Sequence, residues 1–210
     1  QRMKEEEQLL YVRRLKAAGI QERHLQDWTF ASAMDTPSVQ MAKRYVENWK
    51  KVKAENLGLL LWGDVGTGKS FLAACIANAL LEKGVPVLMT NFSKILNQMG
   101  AMYSDERYRY IASFNRFSLL IIDDLGIERN TEYALEQVYA VIDERYKTGL
   151  PLIITTNLTI SQLRNPEDVA HARIYSRVLE MCTPVHVPGY DRRMAIGKSK
   201  QELVKEVLLS

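Results

Sequence analysis

A short apolar run at 57–62 stops at the octapeptide GDVGTGKS, residues 63–70, and an apolar helical pattern (Phe71, Leu72, Ile76, Leu80) begins directly beyond it. This junction restricts the fold more than any other feature of the 210 residues. Glycines allow the loop backbone to curl until successive N–H groups converge on one point, and a helix opening at Lys69 adds its positive end there. Gly63, Gly68, Lys69 and Ser70 occupy the four specified places of G-x-x-x-x-G-K-[ST], in the strand-then-helix context that the pattern requires. The loop therefore reads as a cradle for nucleotide phosphates made by Gly63, Asp64, Val65, Gly66, Thr67, Gly68, Lys69, Ser70 and Phe71. Lys69 is expected to reach the β- and γ-phosphates, and the Ser70 hydroxyl to join a Mg²⁺ shell.

The same alternation continues along the chain. Apolar runs at 57–62, 85–89, 119–122, 152–154 and 185–187 are separated by helical patterns at about 69–83, 92–103, 105–116, 131–148 and 166–182. Strands that are apolar on both sides and separated by helices predict a five-stranded parallel sheet covered on both faces. Ligands on such sheets sit at the carboxyl ends of the strands. LLIIDDLG, residues 119–126, puts two acids at such an end: Asp123 to hold Mg²⁺, and Asp124 to orient or activate a water. PLIITTN, residues 151–157, ends its strand in Thr155, Thr156 and Asn157, polar side chains able to hydrogen-bond that water or the γ-phosphate.

Ahead of this core, residues 1–18 predict a charged helix closed by Gly19, with acids early and bases late as the helix dipole favours. Residues 20–35 read as irregular. Thr36-Pro37 reads as an N-cap followed by proline at the first helical position, and Met41, Tyr45, Trp49 and Val52 then mark one apolar helical face. The expected division is a helical lead-in at 1–55, an ATPase core at 56–190 and a short helical tail at 191–210.

Composition narrows the class only a little. The 47% hydrophobic and 25% charged fractions are those of an ordinary globular chain, and a net charge of +3 permits a nucleic-acid groove without demanding one. Cys75 and Cys182 lie in apolar segments, which argues against a disulfide scaffold. His24, His171 and His186 have no neighbours at metal-ligand spacing, so no zinc site is expected. No run approaches the length of a membrane span and no basic-then-apolar start is present, so the cytoplasm is the expected compartment. The first residue is Gln1, and the sequence is read as a piece of a longer protein.

Together, GDVGTGKS, LLIIDDLG, IITTN and ARIYSRVLE (172–180) resemble the AAA+ ATPases of the DnaC/DnaI replicative helicase-loader group; the related IstB transposition helper ATPases are similar too. AGIQERHLQDWTF, residues 18–30, resembles the lead-in of that group, and the likeness runs over about 18–193. It implies an α/β P-loop AAA+ core, a five-stranded parallel sheet flanked by helices, with a short helical lead-in and no full lid domain. By position it implies ATP and Mg²⁺ as cofactors, with Ser70 and Asp123 on the metal and Lys69, Asp124, Asn157 and Arg177 in catalysis. Asp124 stands where many AAA+ proteins carry Glu. Arg177 corresponds to an arginine finger acting on the neighbouring subunit's ATP, with Arg173 one helical turn earlier. Arg193, in GYDRR, matches a second sensing arginine, and Ser199 and Glu202 have capping-box spacing for a final helix.

The resemblance further implies single-stranded DNA as a partner, touched by Tyr103, Thr131 and Tyr133; from the residues themselves, Arg107 joins them as a phosphate partner. Tyr108, Arg109, Tyr110 and Arg116 add rings and cations to the same stretch, although tyrosines at helical spacing equally suit a core. The implied client is a replicative ring helicase. The alternatives are a transposase, for an IstB-like helper, or a scaffold that binds nucleotide and hydrolyses it weakly.

Overall fold

In a computed structural model, which describes residues 2–126 and 131–189, five strands form one parallel sheet in the order β2-β3-β4-β1-β5. The strands are β1 Gly58–Trp62, β2 Val87–Asn91, β3 Leu119–Leu125, β4 Leu152–Thr156 and β5 Cys182–His186. Successive side chains on a strand point to opposite faces, so an all-apolar run feeds two cores at once. Leu59, Leu61, Leu119, Ile121 and Ile153 join one core, while Leu60, Leu120, Ile122, Leu152 and Ile154 join the other.

On the first face lies α5 (Lys69–Glu82), buried along nearly its whole length because Ala73, Ala74 and Ala77 allow close approach to the strands. The lead-in covers α5 in turn. It comprises α1 (Arg2–Gly19), the single-turn α2 (Arg23–Gln26), α3 (Pro37–Glu47) and α4 (Trp49–Ala54). Ile20, Leu25, Val39, Tyr45 and Val52 from this segment enter the same core as α5. Asn78 on α5 clamps it further, donating to Leu25 O at 2.8 Å and Trp28 O at 2.9 Å. Two backbone carbonyls far along the chain are thereby satisfied inside the protein.

The second face carries α6 (Phe92–Met99), α7 (Ser104–Ala112), α8 (Glu132–Thr148), α9 (Ile160–Arg164) and α10 (Val169–Met181). The chain thus leaves β1 over one face and makes its later crossovers on the other. The crevice at the carboxyl end of β1 lies where that reversal occurs.

Several sequence expectations need correction. Residues 20–35 are not irregular throughout: they hold α2, a 3-10 turn at Phe30–Ser32 and a parallel bridge from Ile20 to Met89. The helix after Thr36 breaks at Asn48 into α3 and α4, although Thr36 does cap it, accepting from Val39 N at 3.3 Å. β2 starts two residues late because Pro86 has no N–H for a ladder. The helix expected to run on to 103 stops at Met99, and the next gives way to a 3-10 turn at Ser113–Arg116. The short α9 was not anticipated. α10 ends at Met181 and β5 follows without a loop, so Cys182 belongs to a strand, pairing with Gly58. Arg193 and the final helix lie outside the described residues.

Candidate functional site

The octapeptide forms the expected cradle between β1 and α5. Gly68 ends it with φ +98°, a left-handed conformation that lets the loop turn its amides inward before α5 begins. Lys69 is buried, at 5% exposure, and its Nζ donates to Gly63 O at 2.9 Å and Asp64 O at 2.7 Å, so the ammonium is held inside the loop. Thr67 is buried too and donates to Asp64 O, whereas Val65 projects from the tip. The segment just after β5 passes close to the loop: Val187 N donates to Trp62 O at 2.9 Å, and a Cβ on Gly63 would stand 2.7 Å from Val187 O.

Beside Lys69, the two acids sit on a β-bulge. Ile122 pairs with Ile154 and Leu125 with Thr156, which leaves Asp123 and Asp124 together opposite Thr155. A bulge kinks one strand and re-aims its side chains. Asp124 takes φ +60°, unusual for a residue with a side chain though tolerated by aspartate. Thr155 secures both acids through one hydroxyl, which donates to Asp123 Oδ1 at 2.6 Å and accepts from Asp124 N at 2.9 Å. The Ser70 hydroxyl lies near Asp123, lining the same pocket, and acts on its carboxyl in the same direction as Thr155. Burial holds the Asp123 carboxyl above the usual carboxylate range; the Thr155 hydrogen bond works against this, and the charge of Asp124 adds to it.

A hydroxyl and a carboxylate lining one pocket beside the glycine loop are a donor set suited to Mg²⁺, a hard cation that takes oxygen ligands. Ser70, Asp123, Asp124 and Asn91 line one pocket together with Glu22 and His24 of the lead-in. Glu22 is ion-paired with Lys94 of α6 across its rim. A second cleft opens beside the loop, lined by Met34, Thr36, Pro37, Ser38 and Val39 of the lead-in, Thr67, Gly68, Phe71 and Leu72 of the loop and α5, and Val187 with Pro188. Its lining is mostly apolar, the character suited to a nucleobase. Sequence reading assigned these lead-in residues no part in a site, Thr36 and Pro37 being read only as a helix start; Thr155 was legible as one of three polar residues ending its strand, with the role at the site assigned to Asn157.

Asn157 lies just beyond β4 and is exposed, two residues past the threonine that touches the acids. Arg177 is about 27% exposed and folds back onto α8: its Nη2 donates to Tyr139 OH at 2.9 Å and lies 2.8 Å from Asp143 Oδ1. The bond from Arg177 also holds the Tyr139 phenol below its ordinary range. Arg173, as expected, shares this face, with its guanidinium 4.7 Å from the centre of the Tyr139 ring.

The expected DNA contacts fall into two groups. Tyr103 is 81% exposed at the start of α7 and Tyr108 is 70% exposed. Arg107 donates to Tyr133 OH at 3.3 Å and lies over that ring, so these two residues are brought together. The Thr131 hydroxyl caps α8 by accepting from Ala134 N. Tyr110 is half-buried, packed edge-on against Phe114 and bonded to Gln98, and Arg116 lies over Phe117. Tyr108 thus belongs to the solvent-facing surface and Tyr110 to the packing. No described helix is long and apolar enough to cross a membrane.

With this geometry in hand, known proteins supply the family. The chain is 28% identical over 147 residues to the replicative helicase loader DnaI of Bacillus subtilis, across 65% of this chain and 47% of that protein. It is 25% identical over 148 residues to an insertion-sequence protein of Mycobacterium tuberculosis named for ATP binding, across 70% of this chain and 58% of that one. The chain therefore spans about half the length of the curated relatives it matches. The crystal structure of DnaI superposes with a TM-score of 0.68 at 24% identity, covering 86% of this chain and all of that one, which establishes the P-loop AAA+ fold. Residues 2–199 match the family described as IstB-like ATP binding protein, and the chain belongs to that family.

Proposed function

We propose that this chain is a Mg²⁺-dependent ATPase that assembles with copies of itself on single-stranded DNA and delivers a replicative ring helicase. The observation that carries the hydrolytic part is the bulge, where one threonine hydroxyl fixes both acids while Ser70 lines the same pocket. In this reading the cleft of Met34 to Val39 takes the base. Lys69 exchanges the carbonyls of Gly63 and Asp64 for β- and γ-phosphate oxygens, and Ser70 with Asp123 holds the metal. Mg²⁺ bound there neutralises charge that develops on the phosphoryl oxygens. Asp124 orients the attacking water from a backbone position set by Thr155, and Asn157 supplies a polar contact at the adjacent strand end. Arg177 completes the site of the next copy, with Arg173 beside it.

The exposed Tyr103, the Arg107–Tyr133 pair and the start of α8 at Thr131 form the surface assigned to DNA, combining stacking faces with a phosphate partner. ATP then acts as a timer, tightening the contact between copies until hydrolysis loosens it. The name of the helicase-loader relative supports a helicase as client. A transposase is the second reading, supported by the matching family and by the insertion-sequence relative.

The test is ATP turnover, with and without single-stranded DNA, over a range of protein concentrations. Stimulation by DNA that grows with concentration is the expected result. Turnover indifferent to both would leave a nucleotide-binding protein and remove the assembly reading.

A further inference from the structure

Arg177 is the most thoroughly engaged surface cation on the second face. Besides Asp143 and the Tyr139 hydroxyl, its guanidinium lies 5.3 Å from the Tyr139 ring centre and 4.7 Å from that of Tyr146. A guanidinium held by a carboxylate, a phenol and two ring faces of its own chain is not extended toward a neighbour.

Each of these partners also has a second partner. Asp143 pairs with Lys147 at 2.7 Å through its other oxygen. The Tyr139 ring lies beneath Arg173, and Tyr146 OH is bonded to Glu180 at 2.9 Å. Withdrawing one member of a partly buried polar cluster is costly chiefly when it strands the groups left behind. Here the stranding is confined to one atom: the carboxylate keeps Lys147 at Oδ2, one ring keeps a guanidinium and the other phenol keeps its carboxylate, while Asp143 Oδ1, buried and without a hydrogen bond, loses its ion pair with Arg177. Most of the cluster therefore keeps a partner once Arg177 leaves.

We propose that Asp143, Tyr139 and Tyr146 form a parking site for Arg177, which keeps it from the intersubunit contact until the nucleotide of a second copy draws it out. The inference rests on the reading of Arg177 as a residue acting in trans. A triphosphate carries more charge than one carboxylate and accepts the guanidinium fork at several oxygens, so it competes successfully once close. Until then only a fraction of molecules present the arginine, and apparent self-association weakens by that fraction. Asp143 is on this account a positioning residue: it sets how readily copies engage, not how fast the engaged site turns over.

The experiment is steady-state ATP turnover of the whole chain against its own concentration, for the wild type, Asp143→Asn, Tyr139→Phe and Arg177→Ala. Asp143→Asn is expected to reach half-maximal turnover at a protein concentration about two- to fivefold lower, with an unchanged plateau. Tyr139→Phe keeps the ring, loses the hydroxyl and shifts the curve in the same direction by less; it decides the matter if Asp143→Asn does not fold. Arg177→Ala is expected to lose the concentration-dependent activity. If it does so while the other two variants leave the half-maximal concentration unchanged, raise it or lower the plateau, parking is refuted and the role in trans stands. If Arg177→Ala turns over like the wild type, the role in trans fails and parking fails with it.

Discussion

Two buried cations lie at opposite ends of the sheet, and both are held by backbone carbonyls. At the carboxyl end Lys69, 5% exposed, donates to Gly63 O and Asp64 O within the glycine loop. At the amino end Arg145, 1% exposed, donates to Phe117 O, Ser118 O and Pro151 O, the residues that lead into β3 and β4. Burial lowers the Arg145 guanidinium to about 10, so it stays charged at neutral pH. The two differ in what their partners can give up. The planar fork of Arg145 ties three carbonyls from two separate segments, and withdrawing it would take the side-chain donor from Phe117 O and Ser118 O and leave Pro151 O with Leu120 N alone. Lys69 is a point charge on a flexible stem, and its carbonyls belong to a loop beside solvent. A buried cation is thus no sign of function in itself; the capacity to exchange partners separates the one proposed to bind phosphate from the one that closes the fold.

The largest expected effect is on Lys69. Lys69→Ala should lower ATP turnover by about 10³-fold or more while changing unfolding free energy by only about 1 kcal/mol, measured by phosphate release and by urea denaturation. Arg145→Met should do the reverse, costing about 2–4 kcal/mol of stability through stranded carbonyls and leaving the nucleotide affinity of the folded protein unchanged. A loss of affinity at unchanged stability in Arg145→Met would break the comparison.

Asp123→Asn should lower Mg²⁺-dependent turnover by about 10²-fold and yet raise the melting temperature of the nucleotide-free protein. The sign follows from burial, which raises the carboxyl in the folded state. Ionising the group costs more in the fold than in the unfolded chain, so removing the charge removes that cost. For the same reason Mg²⁺-nucleotide affinity should begin to fall on acidification at a higher pH than an unperturbed aspartate near 3.9 would set. The smallest effect is at the bulge: Thr155→Val should cost about 1 kcal/mol of stability and about tenfold in turnover, because it frees both acids. An equal or larger loss in Asn157→Ala would shift the weight from Thr155 to the strand end.

The parts of the site legible in the sequence are those whose chemistry is local. GDVGTGKS needs only its own glycines, the strand before it and the helix after it, and an apolar run ending in Asp-Asp places acids at a strand end whatever surrounds it. The strands were legible because central parallel strands are apolar on both sides; β5, at the edge with Thr183, Pro184 and His186 exposed, was caught only at its last residues. Arg145 was not legible, since a base in the last turn of a helix also suits an exposed position at the dipole's negative end.

The amino-acid sequence by itself determined the phosphate loop, the pair of acids and the alternation of strand and helix, because spacing along a chain of fixed geometry suffices for each. Only the tertiary structure decided that Thr155, and not Asn157, touches both acids, that Met34 to Val39 meet Val187 and Pro188 around one cleft, and that Arg177 lies on Asp143. These contacts join segments some 30 to 150 residues apart in sequence. Such distances are closed by the packing of two cores onto one sheet, and no local pattern carries that information.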